Sequence, residues 1–346
     1  MSKVRCSNIE LLRIIAMFMI PMIHINMDAG IPLNYDALIN NNDSTVFRLL
    51  IESFGIVSVN VFVLITGWFG LNMTSTKVMS FVYQILFYTL GIYLLFILLG
   101  KDTLTIKGVL TALINTRWDW FIKAYIVLMI LSPALNVYMD SVELRTQSLV
   151  LLSFFAFSSL YGWFGGAGRF FVDGYGPLSF IGLYLLAGFL RRFKNAPPIQ
   201  NLWHLSSIIY LGGYILTVLG NLSLAVLLLK YKNNFGLAFS YINPLVIFGS
   251  LCLFLTFIII DIKYNKFINW IGSSCFAVYL FHDQSNIRFY FNKIGGFIYK
   301  NTSGIYCVLL TFFFLIGIYI LAILIDKARA YSWKTIWSIK EKIYNE

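Results

Sequence analysis

Residues 303–325 read SGIYCVLLTFFFLIGIYILAILI. The stretch carries no charge. As a helix rising 1.5 Å per residue it is about 34 Å long, enough to cross the roughly 30 Å hydrocarbon core of a bilayer. Comparable apolar runs lie at about 9–27, 53–71, 78–99, 120–139, 147–163, 177–193, 204–228, 241–260 and 267–283. Together they predict about ten transmembrane helices. Composition agrees. Of the 346 residues, 59% are hydrophobic and 12% charged, against roughly 45–50% and about 25% in a soluble domain. Disorder, collagen, a coiled coil and an ordinary cytosolic enzyme are excluded; the fold expected is all-α and polytopic. Several runs contain Gly, Ser, Asn or Tyr, as helices that face other helices do. Gly220-Asn221 interrupts the run 204–228, where a kink or re-entrant turn is expected.

The net charge is +11, from 26 Lys+Arg against 15 Asp+Glu. The cations sit mostly in short connections, which points to topology and anionic headgroups rather than nucleic acid. With the N-terminus inside, the larger share of Lys and Arg falls on the cytoplasmic side, so both termini are expected there. The long connections 28–52, 100–119 and 284–302 then face out, with a short interfacial helix expected at 104–115. Beyond Lys327, cations alternate with Tyr331, Trp333, Ile336 and Trp337. This divides the chain into a transmembrane unit, 1–326, and a basic amphipathic cytoplasmic tail, 327–346. The first run ends in Met22-Ile23-His24-Ile25-Asn26 with no small-residue cleavage site, so it reads as a retained helix rather than a signal peptide. Cys6, Cys252, Cys275 and Cys307 form no CxxC pair and read as small buried hydrophobes. No internal repeat supports an inverted-repeat transporter.

Ionisable residues inside a membrane are expensive and point to function. The first helix carries Glu10, Arg13 and His24. Glu10 and Arg13 share a face, which fits either a salt bridge at the inner interface or a functional pair. His24 lies about 16 Å beyond Arg13, and eleven residues turn the helix about 1100°, or three turns plus about 20°. Arg13 and His24 thus share a face, which suggests a polar path; an interfacial His is the alternative. His282 closes the ninth run beside Asp283, and His204 opens the seventh beside Trp203. Three dispersed His without a carboxylate cluster predict no metal site. Asp119 and Lys123 are spaced to pair, and Trp118 and Trp120 suit either an aromatic belt or the stacking of a sugar. No GxSxG, HExxH, Walker loop or dinucleotide fingerprint is present.

Arg13-x10-His24 is followed by Val61-Phe62-Val63-Leu64-Ile65-Thr66-Gly67-Trp68-Phe69. Then come Trp120-Phe121-Ile122-Lys123-Ala124-Tyr125-Ile126-Val127 and Leu131-Ser132-Pro133-Ala134-Leu135-Asn136. Tyr184-Leu185-Leu186-Ala187-Gly188-Phe189-Leu190-Arg191-Arg192 and Phe276-Ala277-Val278-Tyr279-Leu280-Phe281-His282 complete the ordered set. In these phrases the chain resembles the acyltransferase-three family of bacterial integral-membrane O-acyltransferases, in the style of the branch that modifies surface polysaccharides. The resemblance covers nearly the whole chain. It implies a helical bundle around a polar cavity in the bacterial cytoplasmic membrane. Acetyl-CoA, or another acyl-CoA, would be co-substrate rather than bound cofactor. The acceptor would be a surface polysaccharide or a lipid-linked oligosaccharide. His24 would be the general base. Arg13, with Glu10 beside it, Lys77, and Arg191, Arg192 or Lys194, would hold the donor. Asn60, Thr66 or Tyr125 would face the oxyanion. Trp68, Trp120, Lys123, Tyr279 and His282 are further oxyanion or acceptor candidates.

The chain departs from the family in two ways. Where many members carry Arg-x-x-Arg, the stretch Gly70–Lys77 offers only Lys77, and no fused extracytoplasmic hydrolase-like domain is expected. Direct transfer and a transient acyl-enzyme both remain open. An exporter of glycan or lipid-linked intermediates, or a glycan polymerase or ligase, are the other classes that ten spans would serve.

Overall fold

The structure, a computed structural model, describes residues 5–28, 30–114, 120–165 and 171–345. In chain order the helices are α1 (Ser7–Asp28), α2 (Tyr35–Asn40), α3 (Asn42–Gly55), α4 (Ser58–Phe69), α5 (Ser75–Leu98), α6 (Ile106–Ile114) and α7 (Trp120–Ser141). There follow α8 (Leu144–Phe157), α9 (Pro177–Arg192), α10 (Ser207–Lys230), α11 (Pro244–Ile259), α12 (Lys266–Gly272), α13 (Cys275–His282), α14 (Ser285–Asn301) and α15 (Gly304–Asn345). Among the described residues there is no strand. Eight helical stretches among the described residues are long and apolar enough to cross a membrane, so the chain is an all-α polytopic membrane protein.

Eight of the ten predicted runs coincide with those stretches. The run 177–193 is the 16-residue α9, about 24 Å long and short of a bilayer core. The run 267–283 breaks at Ser273–Ser274 into α12 and α13; Ser273 turns its hydroxyl back onto the Trp270 carbonyl at 2.7 Å. α10 passes Gly220-Asn221 without a break. There the buried Asn221 side chain accepts from Asn243 Nδ2 at 2.9 Å, so its oxygen is met without a turn, while its Nδ2 is buried with no hydrogen-bond partner. The connection 28–52 holds α2 and the start of α3, and 284–302 holds α14. The expected short helix at 104–115 is α6.

The chain forms two compact units. One comprises residues up to Asn26, Pro32–Met73 and Trp120–Asn265. In it, Asn8 Nδ2 near the start of α1 donates to the Phe257 carbonyl (2.9 Å) and the Ile260 carbonyl (3.1 Å) at the end of α11. α4 and α9 pack backbone to backbone, because Gly67 has no Cβ where one would collide with the main chain of Tyr184; such small-residue contacts are how membrane helices approach closely. At the end of α7, buried Gln147 donates to the carbonyls of Met139 (2.8 Å) and Val142 (3.0 Å). It thereby satisfies acceptors that the helix leaves over.

The other unit comprises Met27–Ile31, Thr74–Asp119 and the chain from Lys266. α5 lies along α15: Tyr88 donates to the Ala322 carbonyl (3.3 Å), Gln84 to Asp326 (3.1 Å), and Tyr83 meets Ser332 (2.7 Å). Asp326 and Arg329 form a buried pair at 2.7 Å. Lys327 donates to the Trp270 carbonyl (2.7 Å) and to Ser273 Oγ (2.8 Å). α15 runs through Asp326 and Lys327 as one helix of 42 residues.

Candidate functional site

In the first unit the site grows from the second turn of α1. Glu10 is 3% exposed, and its Oε1 accepts from Arg13 and lies 3.2 Å from Arg5. Its Oε2 is buried with no hydrogen-bond partner. The Arg13 side chain is 28% exposed, and its guanidinium lies 5.8 Å from the centroid of Phe69, the last residue of α4. One turn earlier on α4, Thr66 Oγ1 donates to the Phe62 carbonyl at 2.9 Å. Tyr125 of α7 is hydrogen-bonded to Thr66 and close enough to Arg13 to feel its charge. Since the Thr66 proton is committed to Phe62, Tyr125 is the donor in that bond. The sequence-predicted residues Glu10, Arg13, Thr66 and Tyr125 therefore share one neighbourhood.

Beyond Phe69 the chain turns on Gly70, at φ +73°, a left-handed conformation that suits glycine. A closed ring of hydrogen bonds holds the next residue. The Leu71 N–H donates to Tyr184 Oη (2.8 Å), Tyr184 donates to Asn136 Oδ1 (2.6 Å), and Asn136 Nδ2 donates to the Leu71 carbonyl (2.8 Å). A Cβ on Gly70 would have Arg191 Nη1, Asn136 Oδ1 and Tyr184 Oη each 3.9 Å away. The ends of α4, α7 and α9 thus meet at Gly70.

The three cations at the end of α9 differ in what they do. Arg192 donates to the Val142 carbonyl at 2.7 Å. Lys194 lies over the Trp203 ring at 4.8 Å. Arg191 is exposed beside Gly70 and makes no hydrogen bond or ion pair among the described residues.

His24 is half-buried further along α1, beyond Arg13 and before the buried network in which Asn26 Nδ2 donates to the Arg48 carbonyl (3.0 Å) and Glu52 Oε2 (3.0 Å). Asn60 donates to the Tyr241 carbonyl at 3.0 Å. Trp120 packs on that same Tyr241, at 5.6 Å between centroids, and on Tyr175 at 4.5 Å. Trp68 faces Trp203 and Phe254 at 5.6 and 5.8 Å, in the aromatic packing of its own unit. Lys123 and His204 are exposed; Trp118 and Asp119, the expected partner of Lys123, lie outside the described residues.

In the second unit, Lys77 is exposed on the first turn of α5, where Thr74 Oγ1 accepts its N–H at 3.4 Å. Tyr279 and His282 are buried on α13 with ring centroids 6.2 Å apart. His282 Nδ1 lies 2.6 Å from the Val278 carbonyl. A carbonyl only accepts, so Nδ1 carries the proton and Nε2 is the basic nitrogen.

Sequence reasoning did not single out Tyr184, Asn136, Gly70 or Leu71 as a group, nor the Asn26–Arg48–Glu52 network. Arg48 and Glu52 are spaced four apart with opposite charge, a signal that was available.

The profile of the acyltransferase domain matches residues 7–326, from the first turn of α1 to Asp326 within α15. Neither a comparison with curated proteins nor one with solved structures finds a match. The matched region holds both helix α1, with Arg13 and His24, and the Thr66–Tyr125 and Asn136–Tyr184 contacts at the ends of α4, α7 and α9, and on that match the chain belongs to the acyltransferase-3 family of membrane acyltransferases.

Proposed function

We propose that the protein moves an acetyl or other short acyl group from acyl-CoA to a hydroxyl of a surface polysaccharide or its lipid-linked precursor. It would do so in the bacterial cytoplasmic membrane, with both termini inside. The observation that carries this reading is the cluster at the start of α1: a part-exposed Arg13 beside Thr66 and Tyr125, with exposed Arg191 at the Gly70 turn. Guanidinium groups suit phosphate, which they bind through paired charge-assisted hydrogen bonds. The anionic end of the donor would rest here, and its thioester arm would extend along α1 toward His24.

In the reaction, His24 takes the proton of the acceptor hydroxyl as that oxygen attacks the thioester carbonyl. The new C–O bond forms, the C–S bond breaks, and the thiolate recovers the proton from the imidazolium to leave as CoA thiol. Imidazole suits this, since its unperturbed pKa of about 6.5 lies near working pH. Tyr125 is the donor best placed toward Arg13; its proton, which rests on Thr66, would turn to the developing oxyanion.

The test is proton NMR of surface polysaccharide from cells with wild-type protein, with His24→Ala, and with none. O-acyl signals present only with wild type, at equal protein level, support the reading. Equal acylation in all three, with polymer lost from the surface when the protein is absent, would replace it with export. Acid should slow transfer, because the imidazolium cannot accept a proton.

A further inference from the structure

α14 carries polar groups that this mechanism does not use. Gln284, which caps the helix, Arg288 and Asn292 recur every four residues and so form one stripe. Arg288 bridges two carboxylates of its own unit. Its Nη1 donates to Asp283 Oδ1, and its Nη2 donates to Asp28 Oδ2 at 2.7 Å. Asn292 Nδ2 reaches the same Asp28 oxygen at 3.4 Å. Along this segment three amide atoms are buried with no hydrogen-bond partner: Gln284 Nε2, Asn286 Nδ2 and Asn292 Oδ1. Gln284 is only 4% exposed, and its Oε1 accepts the Asn286 N–H at 3.4 Å.

Such buried orphans are unfavourable, and those of Gln284 and Asn292 lie on the one stripe of α14. The Asp28 and Arg288 side chains are about one-third exposed, at 33% and 37%, so the cluster is open at its ion-paired edge. On the stripe the orphans are one donor, Gln284 Nε2, and one acceptor, Asn292 Oδ1, set beside carboxylates and a guanidinium. Asp28, Asp283 and Arg288 together carry a net negative charge, which disfavours a phosphate or a carboxylate ligand. A neutral polyol fits: each hydroxyl both donates and accepts, and neighbouring hydroxyls answer a mixed array of amide N–H, amide oxygen and carboxylate.

We infer that Gln284 and Asn292, with the Asp28–Arg288–Asp283 bridge, form a subsite for the hydroxyl groups of the carbohydrate acceptor. The inference rests on the acceptor class proposed above, and it assigns that class to residues of the second unit.

The test uses full-length wild type, Gln284→Met and Asn292→Leu, purified in detergent and titrated calorimetrically with surface polysaccharide stripped of O-acyl groups by mild alkali. Each substitution should weaken binding about tenfold; each removes a buried orphan atom but also a hydrogen bond, Gln284→Met the cap to Asn286 and Asn292→Leu the contact with Asp28, so thermal unfolding is measured beside binding to show that the variants are folded. If either variant misfolds, Gln284→Glu carries the test, because it keeps the oxygen that accepts from Asn286 and turns only the orphan donor into an acceptor. Equal binding by all proteins, or none by wild type, overturns the inference and leaves water as the occupant. In membranes supplied with radiolabelled acetyl-CoA, the half-saturating polymer concentration should rise about tenfold in the variants while that of acetyl-CoA stays put. A shift in the donor value instead would also overturn it. Failure of the acyltransferase reading looks different: wild type would bind the polymer and transfer no label to it.

Discussion

The pair at the start of α1 can be separated into a structural and a chemical part by a cycle of three variants, Arg13→Ala, Glu10→Gln and the double substitution. Glu10 is 3% exposed, its Oε2 has no partner, and its Oε1 is shared by Arg13 and Arg5. Removing one partner of a buried ion pair costs about 3–5 kcal/mol. Arg5 remains 3.2 Å away, but its side chain is 48% exposed and solvent weakens its hold, so about 2–3 kcal/mol is expected for Arg13→Ala. In a chain of this size that is a fall of several degrees in melting temperature. Adding Glu10→Gln removes the stranded charge and should restore most of the loss. Donor binding should behave otherwise. A charge-assisted hydrogen bond to phosphate is worth about 1.5–3 kcal/mol, so Arg13→Ala should raise half-saturating acyl-CoA about 10- to 150-fold, and the double variant should stay as weak. The assays are thermal unfolding in detergent and acyl transfer against acyl-CoA concentration at saturating acceptor. A double variant that regains both stability and wild-type donor dependence would refute the reasoning, since Arg13 would then serve only Glu10.

Three further outcomes are expected. Gly67→Ala puts a methyl into the Tyr184 backbone, so α4 and α9 must separate at a cost of about 1–3 kcal/mol; an unchanged melting temperature would mean that the two helices are not in contact there. Arg191→Ala should raise half-saturating acyl-CoA about tenfold and leave stability alone. Arg192→Ala, which removes one of the two donors to the Val142 carbonyl and leaves Gln147, should lower stability by up to about 1 kcal/mol with donor dependence intact. The reverse pattern for the two arginines would overturn their assignment.

The membrane-spanning architecture was legible because it follows from one quantity, the length of apolar runs, which neighbouring residues barely perturb. The exceptions have local causes. Residues 267–283 average as apolar, yet at Gly272-Ser273-Ser274 the Ser273 hydroxyl turns back on the Trp270 carbonyl, and the run divides. Gly220-Asn221 suggested a break, yet Asn243 meets the Asn221 side chain and α10 continues. A window average cannot register either partner. α14 was read as a connection because its mean hydropathy is low; its polar stripe and its buried Phe291 and Ile298 become visible only as helical periodicity.

The site was legible as phrases and opaque as geometry, and the cations show why. Sequence offered Arg191, Arg192 and Lys194 as equivalent, since all three follow one apolar helix and the last turn of a helix favours positive charge whatever the residue's task. What separates them is which acceptors the neighbouring chain leaves over. The end of α7 has surplus carbonyls: Gln147 takes those of Met139 and Val142, and Arg192 takes Val142 as well. Trp203 offers Lys194 a ring face. Around Gly70 the accounts are already closed, because Leu71, Tyr184 and Asn136 satisfy one another. Arg191, beside that closed ring, finds no acceptor among the described residues and stays exposed. A cation held next to a satisfied backbone turn is set for an acceptor that arrives from outside, and an anionic acyl donor brings several.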